Sequence, residues 1–395
     1  MSQLRLPAAF IRGGTSKAVV FRHHDLPPRE LWPEIFCAAL GSPDPSMRQL
    51  DGMGGGLSSL SKICIVGPSD RPDADVDYTF AQVGVNSTVV DFNSNCGNMS
   101  SAIGPFAVDE GFVTPQGDGP TVVRIHNTNS GKIIHARFVV EDGVAAVDGD
   151  TVIPGVSGSG ATVELAFQNP AGTRGRGLTP SGSLCDELVL PDDSKVVVTC
   201  IDAATPAVFV SAQAAGISGT IDPMTLDADK GAMQRLEVIR RAASVAMGIT
   251  PNIEEAAKIM SIPKIAIVSG PADYSCLDGT KVVASRCDIA IRMISAGQAH
   301  RAVPITGALA LAAAASQAGS VPHGLLAAGT SIEALRLATP SGVIIVGCDL
   351  DDTGAVLSAN VVRTQRRLMD GQIYLRRSAF SSDTLNELTD LKETA

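Results

Sequence analysis

Two stretches of small, apolar residues limit the possible folds of this chain more than any other feature. Residues 98–107 and 306–318 place Ala, Gly, Ser and larger apolar residues on every side of a helical wheel and contain no charged residue. A helix without a polar face is stable only when protein encloses it on all sides. The sequence therefore predicts two buried helices, each surrounded by other elements of the fold.

Short β-branched segments are the candidates for these surrounding elements. Each segment is bounded by Gly, Pro, Asn or Asp, as strands usually are. They are residues 18–21, 62–66, 83–92, 121–125, 133–140, 162–167, 195–201 and 207–210. Short strands at this regular spacing favour antiparallel sheets or barrels over alternating β–α–β units.

A smaller set of segments has the apolar spacing of amphipathic helices. Apolar residues recur every three or four positions in residues 28–40, 233–247 and 289–299, which predicts a helix in each of them. The tetrapeptide Thr-Pro-Ser-Gly occurs twice, at residues 179–182 and 339–342. Two enclosed helices, two sets of strands and this repeated turn indicate a duplicated architecture.

The charge and composition exclude several classes of protein. The 395-residue chain has 31 Lys and Arg against 41 Asp and Glu, a net charge of −10, so it lacks the positive surface of a general nucleic-acid-binding protein. Aromatic residues make up 4%, too few for stacking platforms. The longest apolar run, residues 308–315, is shorter than the ~20 residues of a membrane span. Eight cysteines without a C-x-x-C pair, and the lack of a signal-peptide core, predict reduced thiols and a cytoplasmic protein.

The first candidate for a ligand site is the motif Arg12-Gly-Gly-Thr15-Ser16-Lys17. It places flexible backbone before two hydroxyl groups and a cation, and such a turn can hold a carboxylate. Its spacing differs from that of a phosphate-binding P-loop. The alternative is a turn between two strands with ordinary solvent-facing polar residues.

The second candidate is Lys62, which follows a Gly- and Ser-rich run and enters an apolar strand. The glycines at 54–56 would let a substrate approach the backbone closely. Partial desolvation at the start of the strand favours the neutral amine, which can act as a base. The alternatives are a surface lysine and, since Ser59 precedes it by three residues, a serine acyl-enzyme that lacks its companion motifs.

The third candidate is the tetrapeptide Asn95-Cys96-Gly97-Asn98 at the start of the first enclosed helix. Helix N-termini favour negative charge, which suits a reactive thiolate and leaves backbone N–H groups for a ligand. The two asparagines are out of place in an apolar core, which favours a functional cysteine over a buried inert one. Neither a metal-ligand spacing nor a dinucleotide-binding fingerprint occurs in the sequence.

These three motifs resemble those of the PrpF family, which includes 2-methylaconitate isomerase, aconitate and methylitaconate Δ-isomerases, and 4-oxalomesaconate tautomerase. Further similar motifs at residues 126–132, 179–182, 263–265 and 300–308 extend the resemblance nearly from end to end. The resemblance implies an α+β fold of two similar diaminopimelate-epimerase-like domains, each a largely antiparallel sheet or barrel wrapped around a central helix.

The same resemblance implies how the domains are arranged along the chain. We expect an N-terminal domain over residues 1–184, with a C-terminal strand as a candidate to complete it. The second domain is expected over residues 185–395, with the active site in the cleft between the two domains.

The resemblance also implies an isomerase that pairs one lysine with one cysteine, and these roles transfer to Lys62 and Cys96. More distant epimerases use two cysteines, whereas Pro304 stands where the second would lie. A cofactor-independent racemase or epimerase is therefore the less favoured alternative. A further alternative is a non-catalytic protein that binds a carboxylate and assists an aconitase-like enzyme.

The reaction expected from the resemblance is a 1,3-proton shift in an unsaturated di- or tricarboxylic acid, through a dienolate and without metal or cofactor. The charge of a dienolate must be met by fixed N–H donors and cations. We expect a small polycarboxylate as the ligand and no nucleic acid or membrane partner, with a homodimer left open. The expected substrate-binding residues are Thr15, Ser16, Lys17, Asn95, Gly97, Asn98, Ser181, His300, Thr306 and Gly307.

Overall fold

The computed structural model describes residues 3–92, 96–295 and 297–393 of the chain. Most of its regular structure is β-sheet. The strands are β1 (Gln3–Gly13), β2 (Ser16–Arg22), β3 (Lys62–Pro68), β4 (Val76–Val83), β5 (Val90–Asp91), β6 (Gly119–Asn127), β7 (Lys132–Glu141), β8 (Val144–Ala145), β9 (Val163–Gln168), β10 (Asp186–Val189), β11 (Lys195–Ala203), β12 (Thr205–Ser211), β13 (Lys264–Ser269), β14 (Tyr274–Ser275), β15 (Lys281–Val282), β16 (Ile289–Ser295), β17 (Gln298–Ala299), β18 (Leu335–Thr339), β19 (Gly342–Leu350), β20 (Val356–Arg363) and β21 (Gln365–Arg376).

The helices are fewer than the strands in the described part of the chain. They are α1 (Trp32–Leu40), α2 (Gly97–Asp109), α3 (Ala212–Ala215), α4 (Pro223–Ala228), α5 (Lys230–Ala246), α6 (Ile253–Lys258), α7 (Ile305–Ala315) and α8 (Ser382–Glu393). The helices predicted at residues 28–40 and 233–247 correspond to α1 and α5. Within the described residues, no helix is both long enough and apolar enough to cross a bilayer.

The chain divides into two compact units. One consists of Met1–Leu165 and Arg363–Ala395, and the other of Ala166–Val362. The C-terminal segment belongs to the first unit because β21 pairs with β1 along its whole length. The sequence-based division placed residues 166–184 in the N-terminal domain. In the structure they belong to the second unit, where backbone hydrogen bonds join this segment to β11.

The first enclosed helix, α2, is the centre of the first unit. Its residues from Met99 to Val108 are all buried, and it contacts β1, β2, β3, β6, β7, β8 and β21. Small residues permit these close contacts: a Cβ atom added at Gly104 would lie 2.8 Å from the Ala136 Cβ on β7. The prediction of an enclosed helix in this segment is confirmed.

The second enclosed helix, α7, has the same place in the second unit. Its residues from Gly307 to Ala315 are buried, and it contacts β11, β12 and β19. A Cβ atom added at Gly307 would lie 2.3 Å from the Met293 Sδ, so the Met293 side chain of β16 packs directly against the backbone of α7. The predicted α+β class, with a largely antiparallel sheet around one buried helix in each unit, is confirmed.

The two units repeat one arrangement of strands. In the first unit the neighbouring strands are β2, β3, β4, β6 and β7, and their successive pairings are parallel, antiparallel, parallel and antiparallel. In the second unit β12, β13, β16, β18 and β19 pair in the same order and with the same directions. The same ion pair joins equivalent strands: Arg124 to Asp75 at 2.6 Å, and Arg336 to Asp288 at 2.6 Å. The duplication indicated by the sequence is thus present in the fold.

The helix predicted over residues 289–299 is wrong. This segment forms β16 and β17, and β16 lies between β13 and β18. Residues from Ile289 to Ile294 are all buried, so both faces of the strand are covered. A strand buried on both faces lacks the alternation of apolar and polar residues that marks a half-exposed strand. Its apolar residues can then match the three- or four-residue spacing of an amphipathic helix.

The single strand predicted over residues 83–92 is also wrong in its middle. Strand β4 ends at Val83, and a turn follows in which the Gly84 N–H donates to the Val89 carbonyl at 2.9 Å. The chain returns as the short strand β5. Most of β4 lies before the predicted segment and was missed.

The repeated ion pair generates a test of the duplication. Burial opposes the charge of Asp75 and Asp288, but hydrogen bonds from Arg124 and Arg336 outweigh it and lower the pKa of both carboxyl groups. We expect Asp75→Ala and Asp288→Ala each to reduce the free energy of unfolding at pH 7 by about 1–2 kcal/mol, measured by urea denaturation.

The pH dependence of this loss has a definite sign. Because the pKa values are lowered in the folded state, the stabilisation is present above the ordinary value of 3.8 and is lost as the pH falls below it. The difference between wild type and each variant should therefore shrink towards pH 3. A difference that grows in acid, or no loss at pH 7, would contradict the role of the pair.

Candidate active site

The turn between β1 and β2 packs against the start of α2. Gly13 pairs with Ser16 in this hairpin, and Gly14 has a φ of +53°. A Cβ atom added at Gly14 would lie 2.3 Å from the Asn98 Oδ1, so this approach requires glycine. The Asn98 Nδ2 donates to the Thr15 Oγ1 at 3.2 Å. The structure thus brings together three predicted binding residues, Thr15, Ser16 and Asn98.

Two cations accompany this turn. The Arg12 guanidinium donates to the Gly14 carbonyl at 3.0 Å and to the Thr364 carbonyl at 3.1 Å, which fixes the shape of the turn. Burial, together with the nearby charge of Arg366, lowers the pKa of Arg12. Lys17 pairs with Arg12 across the hairpin, and its ammonium lies 5.4 Å from the Phe10 ring centroid.

Cys96 immediately precedes α2 and has an extended backbone conformation. Its carbonyl accepts hydrogen bonds from the Ser100 N–H at 3.1 Å and the Ser100 hydroxyl at 3.2 Å. The N–H groups of the first helical turn, which include those of Gly97 and Asn98, have no partner within the helix. The thiol therefore lies beside backbone donors suited to an anion. Asn95 lies outside the described residues.

The exposure of the cysteines separates Cys96 from the others. Cys96 is half-buried, and Cys185 is exposed. The remaining cysteines are all buried: Cys37, Cys64, Cys200, Cys276, Cys287 and Cys348. Cys96 is thus the half-buried thiol at the start of an enclosed helix, as expected.

Lys62 is the first residue of β3 and is only 8% exposed, which excludes the alternative of a surface lysine. Its Nζ donates to the Gln82 Oε1 on β4 at 2.6 Å. The same Nζ lies 4.9 Å from the Phe80 ring centroid. The amine is therefore held in a fixed position within a mostly apolar surrounding.

Lys62 and Cys96 share a neighbour. Cys64, on the same face of β3 as Lys62, interacts electrostatically with both of them. Its Sγ lies 3.8 Å from the Tyr78 hydroxyl, and burial raises the pKa of both groups well above their ordinary values. The pKa of Cys64 thus responds to both the predicted amine and the predicted thiol: the charge of Lys62 lowers it and that of Cys96 raises it.

The Gly-rich segment before Lys62 has a structural role that the sequence did not indicate. A Cβ atom added at Gly52 would lie 2.2 Å from the Gly41 N, and one added at Gly54 would lie 2.3 Å from the Gln49 Oε1. The buried Gln49 side chain donates to the Ser61 hydroxyl at 2.7 Å. The glycines therefore let the loop close around Gln49, which fixes the residue that precedes the lysine.

In the second unit, His300 is held in one tautomer. The Ala302 N–H donates to its Nδ1 at 3.1 Å, so the ring proton of the neutral imidazole is on Nε2. Burial lowers the pKa of His300, and the charges of Lys264 and Arg301 lower it further. Thr306 and Gly307 lie in the first turn of α7.

Lys264 occupies the place in the second unit that Lys62 has in the first. Each lysine is the first residue of the strand that pairs in parallel after the hairpin, β13 and β3 respectively. Burial lowers the pKa of Lys264. At the starts of the equivalent helices, however, Cys96 corresponds to Pro304.

Ser181 takes part in a local turn. Its hydroxyl donates to the Asp186 Oδ2 at 2.8 Å. Its contact with a substrate stays a prediction. Among the described residues, no group of three or more His, Cys, Asp or Glu side chains is arranged to hold a metal ion.

Sequence reasoning missed two residues at this site, Gln82 and Arg363. Arg363 is 5% exposed, its Nε donates to the Asn98 Oδ1 at 3.3 Å, and burial lowers its pKa to about 10. A charged residue at the end of the apolar run of β20 was the available signal. Gln82 lies in β4, most of which the sequence analysis did not recognise.

Comparisons with known proteins identify the family to which the chain belongs. The family model described as PrpF protein matches residues 3–376. The 2-methyl-aconitate isomerase of Cupriavidus necator is 38% identical over 96% of this chain and 99% of its own length. The 4-oxalomesaconate tautomerase of Pseudomonas putida is 36% identical over 96% and 99% of the two chains. A crystal structure of methylitaconate-delta-isomerase is 36% identical, has a TM-score of 0.89 and covers 97% of this chain and 99% of its own.

The environment of His300 generates a prediction for its titration. A lowered pKa means that the folded protein resists protonation of this ring, so protonation destabilises the fold as the pH falls below the ordinary value of 6.5. We expect the ring to titrate below pH 6.5 and its neutral form to carry the proton on Nε2. Nitrogen-15 NMR of the histidine rings, assigned with His300→Gln, measures this. A titration midpoint at or above pH 6.5, or an Nδ1–H tautomer in the neutral ring, would contradict the assignment.

Proposed function

Because the chain belongs to the PrpF family and is an isomerase, we propose that it shifts a C=C bond in an unsaturated di- or tricarboxylic acid such as 2-methylaconitate, aconitate or 4-oxalomesaconate. One observation carries this proposal. A buried amine, Lys62 on β3, and a half-buried thiol, Cys96 at the start of α2, both lie near enough to influence the pKa of Cys64, and α2 packs against β3. Two proton-transfer groups so placed suit a reaction that removes one proton and returns another.

The proposed reaction is a 1,3-proton shift. One member of the pair removes a proton from the carbon γ to a carboxyl group, and the electrons of that C–H bond form a new C=C bond. The original double bond moves its electrons towards the carboxyl group, which gives a dienolate. The other member then donates a proton to the α carbon, so atoms and charge balance without a cofactor.

The start of α2 supplies the stabilisation that such a dienolate needs. Backbone N–H groups of Gly97 and Asn98 face the end of the helix where negative charge is favoured. Thr15 and Arg363 hold the Asn98 side chain from two sides. We assign the hydroxyls of Thr15 and Ser16, and the Lys17 ammonium, to the carboxylates of the substrate.

Residues of the second unit keep their proposed role in carboxylate binding. His300 can donate through its Nε2–H, because its Nδ1 is already an acceptor. The N–H groups at the start of α7, where Thr306 and Gly307 lie, are further donors. For Ser181 we also retain this role. A two-thiol racemase is disfavoured because Pro304 precedes α7 where Cys96 precedes α2.

The central test removes each proposed proton-transfer group. Lys62→Ala and Cys96→Ser should each lower kcat by about 10² or more, as is typical for the loss of a general acid or base. The double variant should be far less impaired than the product of the two effects, since the groups act as a unit. Turnover is measured by NMR with 2-methylaconitate, trans-aconitate and 4-oxalomesaconate as separate substrates.

Matched controls are available for both substitutions. Lys258, 68% exposed in its side chain, and the exposed Cys185 lie outside the site, so Lys258→Ala and Cys185→Ser should keep normal turnover. In deuterium oxide, the wild type should place deuterium at the newly protonated carbon. Near-normal turnover of Lys62→Ala would remove the lysine from the mechanism, and full retention of the migrating hydrogen would require a single shielded base.

A second test uses the exposure of the cysteines. Iodoacetamide should alkylate Cys96 and Cys185, and trans-aconitate should protect Cys96 alone, because the ligand is proposed to cover the start of α2. Peptide mass spectrometry measures the rate at each cysteine. Equal protection of Cys185, or none at Cys96, would refute the assignment.

A further inference from the structure

We propose that Gln82 is a positioning residue that holds the Lys62 amine in place with a neutral acceptor and so leaves its proton free to be exchanged. Lys62 and Gln82 are directly opposed partners on the antiparallel strands β3 and β4. The Lys62 Nζ lies 2.6 Å from the Gln82 Oε1. The proposal rests on the proposed role of Lys62 in proton transfer.

The orientation of the Gln82 amide is fixed by backbone carbonyls. Its Nε2 donates to the Ser61 carbonyl at 2.8 Å and to the Ser58 carbonyl at 3.1 Å. A flipped amide would turn its donor towards the amine and its acceptor towards two other acceptors. The carbonyl oxygen is therefore the atom that Lys62 meets.

The backbone that holds this amide is itself anchored. The Ser61 hydroxyl donates to the Val83 carbonyl at 3.0 Å and accepts from the buried Gln49 side chain at 2.7 Å. The Val83 N–H donates to the Ser61 carbonyl at 3.1 Å. Gln82 thus directly precedes Val83 in the chain, and its amide donates to Ser61, which is hydrogen-bonded to Val83. Its carbonyl oxygen therefore has little freedom to move.

A neutral acceptor has a specific advantage over a carboxylate at this position. An amide oxygen accepts a hydrogen bond from an ammonium or from a neutral amine, whereas a buried carboxylate would strongly favour the ammonium. Lys62 can then gain and lose a proton while its nitrogen stays in place. Fixed geometry in both protonation states is what an acid–base group requires.

The other groups that face Lys62 do not compete for this role. Phe80 covers the amine with its ring, and the charge of Lys62 acts on the Cys64 thiol, which in turn contacts the Tyr78 hydroxyl. Burial raises the pKa of Cys64 and Tyr78, so both stay neutral over the ordinary pH range. The Cys64–Tyr78 pair therefore adds no change of charge beside Lys62 over that range.

The test measures the protonation of Lys62 without any substrate. Trinitrobenzenesulfonate reacts with neutral amines, so the pH dependence of labelling at Lys62, followed by peptide mass spectrometry, reports its proton. Gln82→Met removes the acceptor and should lower the midpoint of labelling by about one pH unit. Gln82→Glu adds a negative charge and should raise that midpoint by about one pH unit or more.

Kinetics provide the second measurement. Both variants should lower kcat by about tenfold or more, while KM changes less than about threefold. In the pH profile of kcat, the apparent pKa that reports Lys62 should shift in the same direction as the midpoint of labelling. Thermal unfolding confirms that each variant folds. If Gln82→Met does not fold, Gln82→Asn withdraws the carbonyl from the amine and should also lower the midpoint.

Gln317 offers a matched control in the second unit. It is half-buried and donates to the Gly354 carbonyl at 3.2 Å, so Gln317→Met and Gln317→Glu should leave labelling at Lys62 unchanged. Shifts in the same direction for Gln82→Met and Gln82→Glu, or no shift in either, would overturn the proposal. If the labelling midpoint shifts in opposite directions in Gln82→Met and Gln82→Glu but the wild type turns over none of the tested polycarboxylates, the positioning role is supported. In that case only the proposed function is refuted.

Discussion

The burial of α2 along its length is the constraint on which the rest of the first unit depends. A helix with no polar face must be covered by strands on every side, and seven strands contact it. Its first turn cannot be covered in the same way, because those N–H groups need polar partners. The glycines at 13 and 14 bring a hairpin turn directly onto this end, where an added Cβ atom would meet Asn98. Polar groups therefore lie at the start of this apolar helix, next to Cys96.

The duplication separates the features that the two units share from those in which they differ. An Asp–Arg pair of the same geometry joins equivalent strands in both units, as expected of a structural contact. A lysine also begins the equivalent strand in each, Lys62 in the first unit and Lys264 in the second. The helix starts differ, since Cys96 is matched by Pro304. Because a cysteine precedes the enclosed helix in only one of the two similar units, the structure favours an asymmetric acid–base pair over the symmetric two-thiol arrangement of a racemase.

Sequence predicted those parts of the fold and site that local patterns determine. The enclosed helices follow from unbroken small-residue runs, and Lys62 stood out as a charge entering an apolar strand. The helix prediction for residues 289–299 failed because a strand covered on both faces does not alternate between apolar and polar residues. Gln82 and Arg363 were missed because their significance depends on partners distant in sequence. The register of β3 and β4 brings Gln82 to Lys62, and the packing of α2 brings Asn98 to Arg363 across 265 residues.

The charge of the proposed substrate would give a role to the arginines near the start of α2, of which Arg363 is buried and Arg12 is half-buried. Two or three carboxylates would favour the ammonium form of any neighbouring lysine and would oppose a thiolate. Burial lowers the pKa of Arg363 only to about 10, so this guanidinium keeps its charge at neutral pH, as does Arg12 in the adjoining turn. These arginines, with the helix N-terminus, can offset the carboxylates, which leaves Lys62 and Cys96 to respond to the reacting carbon atoms. A neutral Gln82 beside Lys62 fits this division, because the fixed charges then lie where the substrate is held and not where the proton moves.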